Sequence, residues 1–269
     1  MKVLEYDKRF FNREYQPQPN VYAIQESNGI NRAQLNYFGS DLSTGEKKEA
    51  LDQMTKLLDT FVDSKEYGSI LKVEQYDWDL LRRFADDIDT DGQLSIDTYG
   101  LSDTVDQIKE LIAIAEVMSQ KYWVTSTNPP YASLSNLDTN ISNYVKKRYP
   151  DSKPDLYAVF IEKCSMMTVK LGFQAMITQH SWMYLSSFQK LREKVLHIDV
   201  INMAHLGARA FDDIGGEVVQ TTSFVLRKSF LRNYVSRFSR LVECNSSAAK
   251  KELFLAGENN YSKKQDSFG

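Results

Sequence analysis

Apolar positions between residues 41 and 84 recur at helical spacing, with Leu51, Met54, Leu58 and Phe61 on one face. Ser43, followed three residues later by Glu46, has the form of a capping box, which satisfies two backbone N–H groups that a helix start leaves orphaned. Trp78, Leu81 and Phe84 carry the apolar face into a second helix. Asp103 is the expected cap of a third, whose face is Val105, Ile108, Ile112, Ala115 and Met118. Ahead of these helices, Gln16-Pro17-Gln18-Pro19-Asn20 leads into Val21-Tyr22-Ala23-Ile24, which reads as a short buried strand closed by Gln25-Glu26-Ser27-Asn28-Gly29.

The texture changes at Tyr122. Residues 122–126 predict a strand that runs into Asn128-Pro129-Pro130, where the prolines stop a helix from starting early. A helix is expected from about residue 156 to residue 170, with Leu156, Phe160, Cys164 and Met167 on one face and Gly172 as its stop. A buried strand over 173–178 follows, then a short helix carrying Phe188, Leu191 and Val195, and a strand over 200–204. An extended run over 218–226 comes after the Gly215-Gly216 turn. This alternation argues an open α/β sheet with helices on its faces. The chain then divides into a first part of the core (residues 1–40), a helical insertion (41–120), the core proper (121–228), and a helical and polar tail (229–269) that is expected to fray after about Ala248.

With 269 residues, 42% of them hydrophobic, the chain can bury a sizeable core. A charged fraction of 26% and a net charge of −3 exclude both a disordered chain and an all-over basic coat, so any contact with nucleic acid must use a local basic surface. Cys164 and Cys244 are too few for a disulfide framework and lack metal-ligand spacing. No stretch approaches the ~20 apolar residues of a membrane span. The opening Met1-Lys2-Val3-Leu4-Glu5 has no signal-peptide core. A cytoplasmic location is the default expectation.

The candidate chemistry lies in Asn128-Pro129-Pro130-Tyr131. An adenine N6 amine is a poor nucleophile because its lone pair is delocalised into the ring. Two acceptors, one on each amino hydrogen, draw the nitrogen toward tetrahedral geometry and aim the lone pair at a methyl donor. The Asn128 side-chain oxygen and the Pro129 carbonyl are two such acceptors, held together by the stiff prolines. Tyr131 offers a ring on which a flipped-out base can stack, offsetting roughly 1–3 kcal/mol of the unstacking cost. A tight turn would also fit these four residues, but their place after a strand and before a helix favours a site.

Four stretches narrow the reading. They are Tyr6-Asp7-Lys8-Arg9-Phe10-Phe11 with Pro19-Asn20-Val21-Tyr22-Ala23-Ile24-Gln25-Glu26-Ser27; Thr127 through to Tyr131; Asp155-Leu156-Tyr157-Ala158-Val159-Phe160-Ile161-Glu162; and His205-Leu206-Gly207-Ala208-Arg209-Ala210-Phe211 running on to Gly216-Glu217-Val218-Val219-Gln220-Thr221-Thr222. In them the chain resembles the large adenine-specific DNA methyltransferases of BREX-type phage-exclusion systems, the PglX family. The resemblance implies a partial Rossmann-like methyltransferase sheet, mixed and with helices on both faces, interrupted by the helical insertion. It implies S-adenosylmethionine as cofactor, double-stranded DNA and other phage-defence proteins as partners, and no membrane. Asp155 and Tyr157 would lie near the mouth of the active site. The family's glycine-rich cofactor loop has no counterpart in this sequence, so an internal or truncated piece is expected that holds the base but not the whole cofactor. Trp123-Val124-Thr125-Ser126 also departs from the family, which has an Asp and then aliphatic residues before the motif.

Other residues carry weaker signals. Trp182 is either a lining of the base pocket or a tryptophan at the core edge, the latter being favoured slightly. Lys146, Lys147, Arg148 and Lys153 form a basic cluster that either contacts DNA phosphate or is a solvated face. Arg227, Lys228, Arg232, Arg237 and Arg240 lead toward DNA or decorate a helix. Asp87, Asp89 and Asp91 with Gly92 match the first half of a calcium loop, but Thr98 stands where a bidentate Glu belongs, so an acidic turn is favoured. His180, His197 and His205 lack metal spacing. Two alternatives stay open: methylation of cytosine N4 or a protein glutamine, and a degenerate, non-catalytic module that binds DNA or a partner.

Overall fold

The computed structural model describes residues 19–88, 100–211, 219–257 and 259–264. Helices α1 (Thr44–Thr60), α2 (Ser64–Tyr67), α3 (Trp78–Asp86) and α4 (Leu101–Ser119) form a helical body. Its core holds Leu57, Phe61, Leu81, Phe84, Ile108 and Leu111, the faces expected from their spacing. The capping box is present: Ser43 Oγ accepts from the Glu46 N–H at 3.3 Å, and the Glu46 carboxylate accepts from the Ser43 N–H at 3.1 Å. Ser43→Ala is expected to cost about 1 kcal/mol of stability, read as a lower urea midpoint at unchanged slope.

Two expectations about this half are corrected. Residues 21–24 form no strand; Val21 is 85% exposed. Ile30, Leu35 and Phe38 pack into the helical core, so this segment belongs to the helical body rather than to the sheet. At α4 the cap is Gly100, in a left-handed conformation (φ +74°) that glycine adopts without strain, while Asp103 sits in the first turn, where the helix dipole favours its charge.

Among the described residues, a six-stranded mixed sheet makes the other half. Its strands are β1 (Tyr122–Thr127), β2 (Thr168–Gln179), β3 (Asp199–Gly207), β4 (Thr221–Arg227), β5 (Val235–Arg240) and β6 (Asn260–Lys264), in the order β1-β2-β4-β3-β5-β6. Pairs β1·β2 and β3·β5 are parallel, and the remaining pairs are antiparallel. Helices α5 (Thr139–Arg148) and α6 (Leu156–Met167) connect β1 to β2, and α7 (Gln189–Leu196) connects β2 to β3. The strand period of two puts Gln174, Met176 and Thr178 of β2 on one face, buried, and Phe173, Ala175 and Ile177 on the other. The first face packs on α6 and α7 through Tyr157, Ile161, Leu191 and Val195 with Met176, Phe224 and Leu226. Helix α8 (Ser247–Ala256) lies against the second face beside Ile177, Ala204 and Ser223. At the β1 edge of the sheet, Trp123 and Val124 are 69% and 61% exposed.

Helix α6 stops at Met167, three residues before the expected end. Thr168 and Val169 are β-branched and begin β2 instead, with the Thr168 hydroxyl bonded back to the Cys164 carbonyl at 2.7 Å. Gly172 is not a helix stop: it lies inside β2, where a Cβ would meet the Trp123 carbonyl oxygen at 2.8 Å. The basic stretch ending at Arg240 lies on no helix, since residues 237–240 pair with β3 and 235–239 with β6 as β5. Nor is the tail simply frayed, because Ser246 caps α8 and β6 adds to the sheet. The Gly215-Gly216 turn lies outside the described residues.

The two halves interlock at residues 70–72. Tyr149 Oη donates to the Ile70 carbonyl at 2.5 Å, Lys163 Nζ to the Leu71 carbonyl at 2.8 Å, and the Lys72 N–H to Tyr144 Oη at 2.8 Å. Lys163 is 5% exposed, and burial, helped by the neighbouring Lys72 ammonium, pushes its pKa down to about 8. The unfolded chain therefore binds the extra proton between pH 8 and the ordinary lysine range, so stability should rise with pH across that window, by at most roughly 3 kcal/mol. Above about pH 10 the sign reverses. Burial raises the phenol pKa values of Tyr131, Tyr149 and Tyr157, so their unfolded forms release protons first. Urea melts between pH 7 and 11 should show a maximum near pH 10; a flat profile would contradict the buried amine.

Candidate active site

The parallel strands β1, β2, β3 and β5 bring their carboxyl ends to one rim of the sheet, where ligands of open α/β sheets bind. Asn128 follows the last residue of β1 and is exposed at that rim, Pro129 is buried beneath it, and Tyr131 is half-buried. Tyr131 Oη donates to Asn128 Oδ1 at 3.3 Å, which orients the amide oxygen. The loop is pinned from the start of α6. Asp155 Oδ1 accepts from the backbone N–H of Ala132 at 3.1 Å and of Tyr157 at 3.2 Å, and the Leu156 N–H donates to the Ala132 carbonyl at 3.0 Å. Burial raises the Asp155 pKa, and the N–H groups of Tyr157 and Ala132 oppose it.

Beneath the loop, the Tyr131 ring meets Tyr157 edge-on, with centroids 6.0 Å apart and planes at 85°. Tyr157 is fully buried, its hydroxyl 2.7 Å from Ser181 Oγ and its ring 5.8 Å from Phe188. Burial pushes the Tyr131 phenol up to about 12, so it remains a neutral donor at physiological pH. The arrangement offers the Asn128 amide oxygen at a rim and an aromatic ring braced from one side, which suits a planar amine-bearing ligand.

The remaining candidates fall elsewhere. Trp182 is 3% exposed, donates to Thr178 Oγ1 at 3.1 Å and packs on Phe224 at 5.4 Å, so it sits in the core behind the rim. Lys146, Lys147 and Arg148 are exposed at the far end of α5, a helix about 15 Å long, and Lys153 is exposed just beyond. Asp87 accepts from Ser40 Oγ at 2.6 Å and from the Asp41 N–H, as a loop brace, while Asp89 and Asp91 lie outside the described residues. Among the described residues, no three His, Cys, Asp or Glu side chains gather as a metal site, no helix is long and apolar enough to cross a membrane, and both cysteines are free. Sequence reasoning missed Ser181 as the partner of Tyr157, because the bond spans 24 residues. It also missed the pairing of His180 Nδ1 with His205 Nε2 at 2.8 Å.

Residues 22–210 match the family model of the Eco57I restriction-modification methylase. The chain is 37% identical over 270 residues to the adenine-specific methyltransferase PglX of Lacticaseibacillus casei (strain Zhang), covering 97% of this chain and 21% of that protein. It is 34% identical over 202 residues to the adenine-specific methyltransferase BrxX of Escherichia coli O9:H4 (strain HS), covering 74% of this chain and 16% of that protein. Among solved structures, the DrdV–DNA complex is similar over 58% of this chain and 18% of that one, at 15% identity and a TM-score of 0.44. The chain thus spans about a fifth or less of the length of its curated relatives.

Proposed function

This chain belongs to the Eco57I restriction-modification methylase family, and from that premise we propose that it carries the base-holding part of an S-adenosylmethionine-dependent DNA adenine-N6 methyltransferase of phage defence. The single observation that carries the reading is Asn128, exposed at the carboxyl end of β1 with Tyr131 oriented beside it.

The fit to the cofactor is one-sided. Asn128 stands exposed at the rim, and no glycine-rich loop lies at the edge of β1 among the described residues. S-adenosylmethionine supplies an electrophilic methyl on a sulfonium. The residues of this chain prepare the acceptor: Asn128 Oδ1 and the Pro129 carbonyl would accept hydrogen bonds from the two amino N–H groups, Tyr131 would stack on the ring, and Tyr157 and Asp155 keep the loop in place. Most of the effect is positioning.

Tyr131→Ala is expected to weaken binding of a duplex with an extrahelical adenine by about 1–3 kcal/mol, and Tyr131→Phe by far less, read by fluorescence anisotropy. The reading itself is tested by methylation-sensitive sequencing of cells with and without the gene. New N6-methyladenine at a defined sequence supports it. N4-methylcytosine, or no new modified base, contradicts it.

A further inference from the structure

Away from the motif, the same rim gathers cations. His205 of β3 lies opposite Arg240 of β5 in the parallel register, and the Leu241 N–H donates to the His205 carbonyl at 2.9 Å. Strand alternation places His205 and Arg240 on the same face as Met203 and Phe238, which pack against the core cluster that also contains Tyr157. Lys250 of α8 reaches into the turn after β5, where its Nζ donates to the carbonyls of Leu241 at 2.9 Å and Cys244 at 2.7 Å. Arg209 is exposed on the loop leaving β3.

These charges act on one another. Burial lowers the His205 pKa first, and His180, Arg240 and Lys250 lower it further. Burial likewise lowers Lys250, and Arg209 adds to the effect. Arg240 pairs with Glu243 at 3.1 Å, but the two side chains are 61% and 74% exposed, so that pair holds Arg240 only weakly. The backbone is also shaped to present Arg209. Gly207 turns at φ +69° over Val242, where a Cβ would sit 3.0 Å from a Val242 methyl, and Arg209 itself takes φ +55°, which a side-chain-bearing residue adopts only at a cost.

Resting on the reading of Asn128 as the base site, we propose that Arg209 and Arg240 form a subsite for a backbone phosphate of the DNA strand that delivers the flipped base, with Lys250 as a fixed background charge. Strand spacing supports the distance. From β1 to β5 is four strand steps, about 19 Å along the rim, a reach of a few nucleotides from Asn128. The cations at the end of α5 lie on the outer helical layer instead, one helix length from the loop that follows the motif.

The test is fluorescence anisotropy of a duplex with an adenine opposite an abasic site, titrated with salt, on the full chain. Arg209→Gln with Arg240→Gln should weaken binding about tenfold and reduce the salt slope by about one, while Arg209→Lys with Arg240→Lys keeps most of both. Lys146→Gln with Lys147→Gln removes the same charge and should leave the slope nearly unchanged. An unchanged slope in the arginine variant, or an equal loss in the α5 variant, overturns the subsite and leaves the base-site reading standing. No binding of the duplex by the unaltered chain overturns both.

Discussion

Asn128→Ala is expected to lower the rate of methyl transfer about 10²–10³-fold, the loss seen when one preorganised acceptor or donor is removed from a developing charge. The effect should fall on kcat and on kcat/KM alike, because the amide oxygen acts as the amine becomes tetrahedral and contributes little to ground-state binding. Binding of DNA should change little, since Tyr131 and the rim cations remain. Asn128→Asp keeps an acceptor oxygen and should retain more activity than the alanine variant. The partner of that oxygen, the Tyr131 hydroxyl at 3.3 Å, is a neutral donor that tolerates a carboxylate. Single-turnover transfer of a labelled methyl to DNA reads both variants. Equal rates for Asn128→Ala and the unaltered protein would remove Asn128 from the chemistry.

Tyr157→Ala should be the most destabilising change near the site, at about 3–5 kcal/mol, as for other large aromatic residues removed from a core. Its ring is fully buried between Tyr131 and Phe188, and its hydroxyl meets Ser181. Tyr157→Phe isolates the hydroxyl and should cost about 1 kcal/mol, the ordinary net worth of one hydrogen bond. Urea midpoints at pH 7 separate the two. If Tyr157→Phe lost as much as Tyr157→Ala, the bond to Ser181 would outweigh the packing, contrary to the geometry.

The helical body was readable because its apolar residues repeat at helical spacing and its first cap is a local signal within four residues, Ser43 to Glu46. The motif was readable because strand, prolines and tyrosine are contiguous. Residues 21–24 misled because an apolar tetrapeptide has the same composition whether it enters a sheet or lies on a surface; here Val21 is exposed. The boundary between α6 and β2 moved because Thr168 exchanges helical hydrogen bonds for a strand, a choice made by its long-range partner Thr125 at 2.9 Å. Strands β5 and β6 were hidden for a similar reason. Arg237 and Arg240 look like helix decoration, and only pairing with β3 and β6 makes their segment extended. Trp182 carried two readings in the sequence, and its hydrogen bond to Thr178 puts it in the core.

The most direct test of the base site is a photo-crosslink. In the duplex sequence found to be methylated, the target adenine is replaced by 5-iodouracil, the protein is added, and the crosslinked peptide is identified by mass spectrometry. The account predicts a crosslink on Tyr131, lost in Tyr131→Ala. A crosslink confined to another aromatic residue, with the Asn128-to-Tyr131 peptide unmodified, would contradict it.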